Sequence, residues 1–461
     1  MRRRPVVNLE AVLLILLVIA NLEMNFTLFF DNLDHFDAMR YFPTLGKLIL
    51  PHGDLNPLII LGKKFTPIKL ILRSTSIFIM LCYLLCDRLL RGRMETILKW
   101  LLLAALSFCL VLLPTGLTIL ARQRGGHHEL AHDGGTIQVE EAVKMVLRGR
   151  NPYRETYHGT PLEGWRGFTN NAVYHYPYPP MSFLPSVPLH LIFHRILGWF
   201  DQRIAYIMYY LAAIAAGAGL ARNPVGRRLI AMWLALNPLM NHLFTLGSND
   251  VAPALWLLLA LAAFQRGWYG WSGVWLGMAA STKQFAVFAV PFMAVELIRR
   301  HGLTDRRHVR FLLGVFLLLA AVNLPLFIAS PRDFIQDTVQ YASGGLPTSY
   351  PIQGFHGYGF ASLLLFLGIV PNGNVNYPFW LWQAVFCLPL TGLLLHRQHR
   401  NGGVPAMLTG FSYTLLVFMF FSRYLHGNFL AFIIIWPWLA WIGAGESTAP
   451  EDVPCAESAD M

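Results

Sequence analysis

Four ionisable residues that could perform acid–base and phosphate chemistry stand beside apolar segments of this sequence: Asp133, Lys283, Arg423 and His426. A carboxylate can take a proton from a hydroxyl group, and lysine and arginine are common protein partners of phosphate. Ionisable residues at membrane depth usually face a cavity, which makes a functional site the default hypothesis. We therefore expect these side chains to meet in one active site.

The composition predicts a membrane protein. Of 461 residues, 55% are hydrophobic and 13% are charged, whereas a soluble protein carries about 25% charged residues. The mean hydropathy is +0.47. The formal net charge of +11 is spread over short basic clusters between apolar runs, as the positive-inside rule predicts. This distribution argues against a nucleic-acid partner.

The apolar runs predict an all-α polytopic fold with about 12 transmembrane helices. The cluster Arg2–Arg4 predicts a cytoplasmic N-terminus, and counting crossings returns the C-terminus to the same side. The segment 179–198 contains four prolines and is predicted to be a surface or re-entrant helix. A pair of short helices is expected at about 272–283 and 285–298, and a half-helix near 358–370. Full spans are expected at about 8–30, 67–87, 98–120, 203–221, 229–246, 251–266, 309–329, 376–396, 404–421 and 428–444.

The polar segment His132–Tyr153 begins with Asp133 and follows the third predicted span. Its apolar residues recur at helical spacing, which predicts a short amphipathic helix that ends before Gly149. Glu140 and Glu141 fall off the apolar face. Because this helix is too short to span, we expect it to lie on the outer membrane surface.

No cofactor is predicted. The five cysteines do not suggest a disulfide framework or a zinc site. The stretch HHELAHD could offer His127, His128 and His132 to a divalent metal beside Asp133, but no metal cluster with convincing spacing occurs.

Four stretches occur in a distinctive order: Asp133 with RGRNPY and YHYPYPP; RRLIAMWLALNP running to GSND; GVWLGMAASTKQFAVFAVPF; and SRYLH. In this order the sequence resembles the GT-C-fold glycosyltransferases, membrane enzymes that take sugars from polyprenyl-phosphate donors. The NPY…YPP pair and the GSND…STKQ…P order are most similar to the family 87 (DUF2029-type) mannosyltransferases. The resemblance covers residues 98–444 and leaves out the hairpin 1–95.

The resemblance implies an inverting transfer of a hexose or pentose, mannose first, to a lipid-linked or cell-envelope glycan on the extracytoplasmic face of the inner membrane. Asp133 would be the base, and Lys283 and Arg423 would stabilise the donor phosphate. Asp250, at the end of GSND, would orient the sugar or the acceptor. The remaining candidates for substrate binding, of which the aromatic ones would shape the pocket, are His175, Tyr176, Tyr178, Gln284 and His426.

Other readings stay open at this stage. One of Asp31, Asp34 and Asp37 would be the base if the enzyme module began at residue 1. Asp250 could instead cap the helix that starts at Val251. An O-antigen ligase or polymerase, a lipid or solute transporter and a non-catalytic scaffold are the competing functions. The expected organisation is a hairpin (1–95), a glycosyltransferase module (96–445) and a disordered cytoplasmic tail (446–461).

Overall fold

The computed structural model describes residues 8–34, 58–60, 63–65, 67–125, 133–165, 171–352 and 357–447. Helices form nearly all of the regular structure in these ranges, which confirms the all-α prediction. A two-stranded antiparallel ribbon is the exception; its strands are β1 (Leu58–Ile60) and β2 (Lys63–Phe65).

The first half of the chain follows the predicted spans closely. A π-helical turn, Phe108–Leu112, joins α3 to α4 within one apolar helix, and 3-10 turns at Asn171–Tyr174 and Pro180–Ser182 precede α6. The helices are α1 (Leu9–Asp34), α2 (Pro67–Leu89), α3 (Gly92–Ser107), α4 (Leu113–Gly125), α5 (Gly134–Leu147), α6 (Ser186–Leu197), α7 (Gln202–Ala218), α8 (Pro224–Leu236) and α9 (Pro238–Thr245).

The second half continues the same pattern. A 3-10 turn, Gln284–Phe288, separates α11 from α12, and a π turn, Gln336–Gln340, separates α14 from α15. The helices are α10 (Val251–Gln265), α11 (Tyr269–Ala280), α12 (Ala289–His301), α13 (Arg306–Ala329), α14 (Pro331–Ile335), α15 (Tyr341–Ser343), α16 (Phe360–Phe366), α17 (Phe379–Asn401), α18 (Val404–Phe420), α19 (Gly427–Ile433) and α20 (Ile435–Ser447).

Membrane-spanning character is clear from length and apolarity. In the described part of the chain, five helices are long and apolar enough to cross a bilayer: Leu70–Leu89, Gly92–Gln123, Arg306–Ala329, Phe379–Asn401 and Gly427–Gly445. Two shorter apolar helices, Val251–Gln265 and Val404–Phe420, accompany them. The chain is therefore a membrane protein, while the total of about 12 crossings stays a prediction.

Two elements differ from the sequence prediction. The span expected at 229–246 is broken, because Asn237 leaves the helical conformation and accepts a hydrogen bond from the Met240 N–H (3.4 Å) to begin α9. Pro238 occupies the first position of α9, where its missing N–H costs nothing. The stretch 330–357, expected to be a loop, is helical from Pro331 to Ser343.

The N-terminal hairpin packs on the rest of the protein through buried polar contacts. Glu10 of α1 accepts hydrogen bonds from Arg228 of α8, at 2.6 and 3.0 Å. Farther along α1, Asn21 donates to the Leu236 carbonyl (2.7 Å) and accepts from Asn241 (3.0 Å). These contacts hold α1 against α8 and α9, and the GSND loop begins directly after α9.

Glycines let α11 and α13 touch backbone to backbone. A Cβ on Gly273 would overlap the carbonyl oxygen of Phe311, and a Cβ on Gly314 would overlap that of Gly270. Close approach through small residues is how membrane helices gain packing energy, since lipid gives them no hydrophobic drive to associate. This contact fixes α11, whose last turn leads to Lys283.

We predict that Gly273→Ala destabilises the protein by about 1–3 kcal/mol, the usual cost of overpacking, because the new methyl group meets backbone that cannot rotate away. Gly392→Ala is the matched control, since Gly392 lies in α17 with open space around its Cβ position. Thermal unfolding in detergent measures both variants. Equal melting temperatures for the two would contradict the close contact.

Candidate active site

One cavity of about 1120 Å³ brings together most of the predicted site residues. It lies between the start of α5, the GSND loop, the turn after α11 and the loop between α18 and α19. The predicted residues that line it are Asp133, Tyr178, Lys283, Gln284, Arg423 and His426. The arrangement joins a carboxylate to two cationic side chains on one surface.

Asp133 stands at the N-terminus of α5, where its side chain caps the helix. Its backbone N–H donates to the Leu246 carbonyl (3.2 Å), and its Oδ1 accepts from the Gly135 N–H (2.8 Å). The Ser248 hydroxyl group also lies close enough to the Asp133 carboxyl group to interact with it and lower its pKa. Burial raises the pKa of Asp133 to about 6, and the Gly135 N–H and the nearby Lys283 charge offset only part of that rise. A carboxylate with this pKa is suited to proton transfer near neutral pH.

Two glycines after Asp133 allow aromatic residues to approach it. A Cβ on Gly135 would lie 2.6 Å from the Tyr178 hydroxyl group, and a Cβ on Gly134 would lie 2.9 Å from the Trp165 ring. Both aromatic side chains line the cavity. The Asp-Gly-Gly sequence was the available signal for this close packing, but Trp165 was not among the residues predicted from the sequence.

Helix α5 is buried rather than lying on the membrane surface, which corrects the amphipathic interpretation. Residues 134–143 are all buried, including both glutamates. Glu140 binds Arg122 of α4 through two hydrogen bonds (2.8 and 2.7 Å), and Arg122 also binds Asp201 at the start of α7 (2.8 Å). The glutamate that helical periodicity assigns to the polar face thus anchors α5, and with it Asp133, between two other helices.

Lys283 is held by a buried carboxylate. Its Nζ lies 2.6 Å from Asp250 Oδ1, and Asp250 also accepts hydrogen bonds from Ser248 (2.5 Å) and Asn428 (3.1 Å). Asp250 precedes α10 but makes no side-chain capping bond, so the helix-cap alternative is wrong. Asp250 therefore positions the lysine, which lines the cavity.

Aromatic rings surround the Lys283 ammonium group. Its Nζ lies 5.9, 5.7 and 5.5 Å from the ring centres of Tyr178, Phe285 and Phe429, respectively. Such ring faces stabilise a cation without neutralising it. The lysine is thus fixed in place while it keeps donor capacity for a ligand.

Arg423 is almost fully buried, at 2% exposure, and clamps two loops. Its guanidinium donates to the carbonyl oxygens of Tyr350 (2.5 Å), Gly373 (2.7 Å) and Val375 (2.8 Å). No carboxylate among the described residues pairs with it. Burial therefore lowers the pKa of Arg423 to about 10. A buried cation without an anionic partner, at the wall of a cavity, favours binding of an anion there.

His175 and Tyr176 lie behind the cavity wall and support it. His175 bonds to Asp337 through Nδ1 (2.7 Å) and to Thr348 through Nε2 (2.7 Å). The Tyr176 N–H donates to the second oxygen of Asp337 (2.8 Å). These bonds tie the YHYPYPP stretch to the helical segment after α13. Asp337 was missed because it falls where the sequence suggested a loop.

Two further residues lie on the cavity wall itself. Gln284 donates from Nε2 to the Pro177 carbonyl (3.0 Å) and to the Thr338 carbonyl (2.9 Å). It therefore joins the same two segments on the cavity side. His426 packs its ring against Tyr424, with centres 5.6 Å apart.

Several alternatives concern residues whose side chains are not described. Asp31 and Asp34 fall in the last turn of α1, without described side chains, and Asp37 lies outside the described residues. The histidines of HHELAHD, His127, His128 and His132, also lie outside them. Within the ranges given above, no group of three or more histidine, cysteine or acidic residues could hold a metal ion.

Comparison with known families gives a match. The model for glycosyltransferase family 87 matches residues 176–422, more than half of the chain, and this region includes Tyr178, Asp250 and Lys283. Asp133 lies before the matched region, and Arg423 follows its last residue. No curated protein matches the chain. The chain belongs to glycosyltransferase family 87 and is a membrane glycosyltransferase.

Proposed function

We propose that this enzyme transfers a hexose or pentose from a polyprenyl-phosphate donor to a hydroxyl group of a glycan or glycolipid acceptor, with mannose as the first candidate. One observation carries the proposal. The Asp133 carboxyl group, whose pKa is raised towards neutrality, lines the same cavity as Arg423, a buried cation without a carboxylate partner among the described residues. A base and an unmatched positive charge that line one cavity suit an acceptor hydroxyl and a donor phosphate.

The proposed reaction is a single inverting displacement. The acceptor oxygen attacks the anomeric carbon as the bond from that carbon to the phosphate oxygen breaks. Asp133 takes the acceptor proton on the carboxylate oxygen that does not cap α5, and the polyprenyl phosphate leaves with the bonding electron pair. General-base assistance of this kind typically contributes 10²–10⁴-fold to the rate.

The two cations have different proposed tasks. Arg423 donates three of its N–H groups to backbone carbonyls, which leaves two of its five donors for a phosphate oxygen. Lys283 is oriented by Asp250 and adds a point charge beside the same cavity. Both groups are fixed before the substrate arrives, so they can stabilise the negative charge that grows on the leaving phosphate without reorganising.

The charge distribution supports an extracytoplasmic site. Helices α10 and α13 have basic residues at the end opposite the cavity, where Arg266 follows α10 and Arg306 begins α13. By the positive-inside rule that end belongs in the cytoplasm. We therefore propose that the cavity faces outward and uses donor and acceptor from the outer leaflet.

Asp133→Asn is expected to reduce sugar transfer at least 100-fold while leaving the fold intact. Asparagine is an equally good helix N-cap and can keep the bond from the Gly135 N–H, but it cannot accept a proton. Transfer from radiolabelled polyprenyl-phosphate sugars in membranes gives the rate, and thermal unfolding in detergent reports stability.

Glu155→Gln serves as the control, because it changes a carboxylate whose ion pair with Arg150, at 3.6 Å, lies outside the cavity. The same substitution at Asp31, Asp34 and Asp37 tests the rival bases. Full activity in Asp133→Asn together with loss in one of those three would move the base to the N-terminal segment.

The raised pKa of Asp133 predicts an acidic limb in the pH profile. Transfer needs the deprotonated carboxylate, so kcat/KM should rise with pH through a midpoint of about 6. The donor is a phosphodiester and stays ionised over this range. Stability runs the opposite way: because the folded-state pKa is raised, the contribution of this group to stability falls as pH rises towards 6. The Asp133→Asn variant should lack both the acidic limb and the pH dependence of stability. An acidic limb that persists in this variant would mean that another group titrates.

A pair of substitutions that leaves the net charge unchanged separates the effect of Lys283 on folding from its effect on phosphate binding. Lys283→Gln alone leaves Asp250 buried and unpaired, which should cost about 3–5 kcal/mol of stability. Lys283→Gln combined with Asp250→Asn removes both charges and should recover much of that loss, whereas transfer should stay low because the lysine charge no longer helps Arg423 to stabilise the phosphate. Wild-type transfer by the folded double variant would exclude Lys283 from the reaction.

A further inference from the structure

A second, smaller cavity of about 430 Å³ lies where α11 and α13 begin. Its wall includes Trp268, Trp271, Arg307 and Arg310. Helix α11 runs from this cavity to the turn that carries Lys283, so the two cavities lie at opposite ends of the helix bundle. Nothing in the proposed transfer reaction uses this end.

The two tryptophans show which environment the cavity occupies. Trp268 and Trp271 are each 61% exposed, although both have large apolar rings. Exposed tryptophans at the ends of membrane helices sit in the interface, where the ring meets lipid and the N–H meets water or headgroups. The cavity therefore opens at the level of the phospholipid headgroups.

The arginines give the cavity a surplus of positive charge. Arg307 and Arg310 are three residues apart and so project from one side of α13. Arg307 forms a long ion pair with Asp305 (3.9 Å) and hydrogen-bonds to His301 (2.7 Å), whereas no carboxylate within the described ranges pairs with Arg310. A positive surplus at this depth favours an anion.

The nearby buried glutamate does not supply that anion. Glu296 is fully buried and bonds to Arg299 (2.8 Å) and Arg300 (2.6 Å) on its own helix. Its charge is therefore already matched, and the surplus around Arg307 and Arg310 remains.

We propose that this cavity binds the headgroup of one anionic phospholipid from the leaflet opposite the active site. The phosphate would lie between Arg307 and Arg310, and the glycerol region against Trp268 and Trp271. A zwitterionic headgroup suits the cavity less, because it brings a cation towards two arginines. Basic pockets between membrane helices recognise acidic lipid headgroups by the same physics.

The surface below the cavity continues the site into the membrane. Leu313 and Leu317 follow Arg310 by three and seven residues and therefore share its side of α13. They are 51% and 65% exposed, which leaves an apolar track along the helix. An acyl chain can lie on this track while its headgroup occupies the cavity, which a soluble anion could not do.

Native mass spectrometry of the full chain, titrated with phosphatidylglycerol, tests the proposal. The double variant Arg307→Gln/Arg310→Gln should bind its first lipid about 30-fold more weakly, since each basic residue near an anionic lipid surface contributes roughly a fivefold factor. Arg397→Gln/Arg400→Gln is the matched control: it removes two exposed arginines with the same spacing, at the end of α17 and outside this cavity. Thermal unfolding confirms that both double variants fold.

Each outcome decides the matter. Weaker phosphatidylglycerol binding in the first double variant alone, with phosphatidylcholine unaffected, supports the site. Equal weakening in both double variants would mean unspecific charge attraction and would overturn it. Glycerol phosphate binding as tightly as the whole lipid would assign the cavity to a soluble anion instead. Sugar transfer is not the readout, so failure here leaves the active-site proposal untouched.

Discussion

Arg423 carries a positive charge into the protein, where backbone carbonyls are its hydrogen-bond partners among the described residues. Those three hydrogen bonds satisfy part of the guanidinium and hold two loops at the cavity wall, but they do not supply a counter-charge. Gly344, in the left-handed conformation at φ +89°, makes room for the guanidinium, since a Cβ there would lie 2.5 Å from its Nη1 atom. The shape of the cavity and its tendency to bind an anion thus depend on the same side chain.

Other buried charges in the described residues are matched within the protein. Arg122 meets Glu140 and Asp201, and Arg228 meets Glu10. Removing one member of such a pair is costly because its partner is left buried and alone. Matched pairs act as fasteners between helices, whereas the unmatched cation faces open space. Lys283 combines the two situations, because Asp250 pairs with its ammonium group and the lysine also lines the cavity.

The sequence predicted most helices because apolar runs and their polar breaks are local signals. It also predicted that Asp133, Lys283 and Arg423 would share a cavity, since charge parity puts their loops on one side. It could not reveal that Glu140 is buried, because its partner Arg122 belongs to another helix. The pairing of Lys283 with Asp250 likewise bridges 33 residues of chain. The burial of Glu140 and the pairing of Lys283 both depend on partners far along the chain, which a local sequence pattern does not reveal.

The capping role of Asp133 has a consequence for repeated turnover. One oxygen holds the Gly135 N–H, and the other is the proposed proton acceptor. A carboxylic acid protonated on Oδ2 keeps a carbonyl-like Oδ1, which can still accept the amide hydrogen. The first turn of α5 therefore need not unwind when the proton arrives or departs. An enzyme built this way can reset between cycles by exchanging a proton with water, without any rearrangement of its backbone.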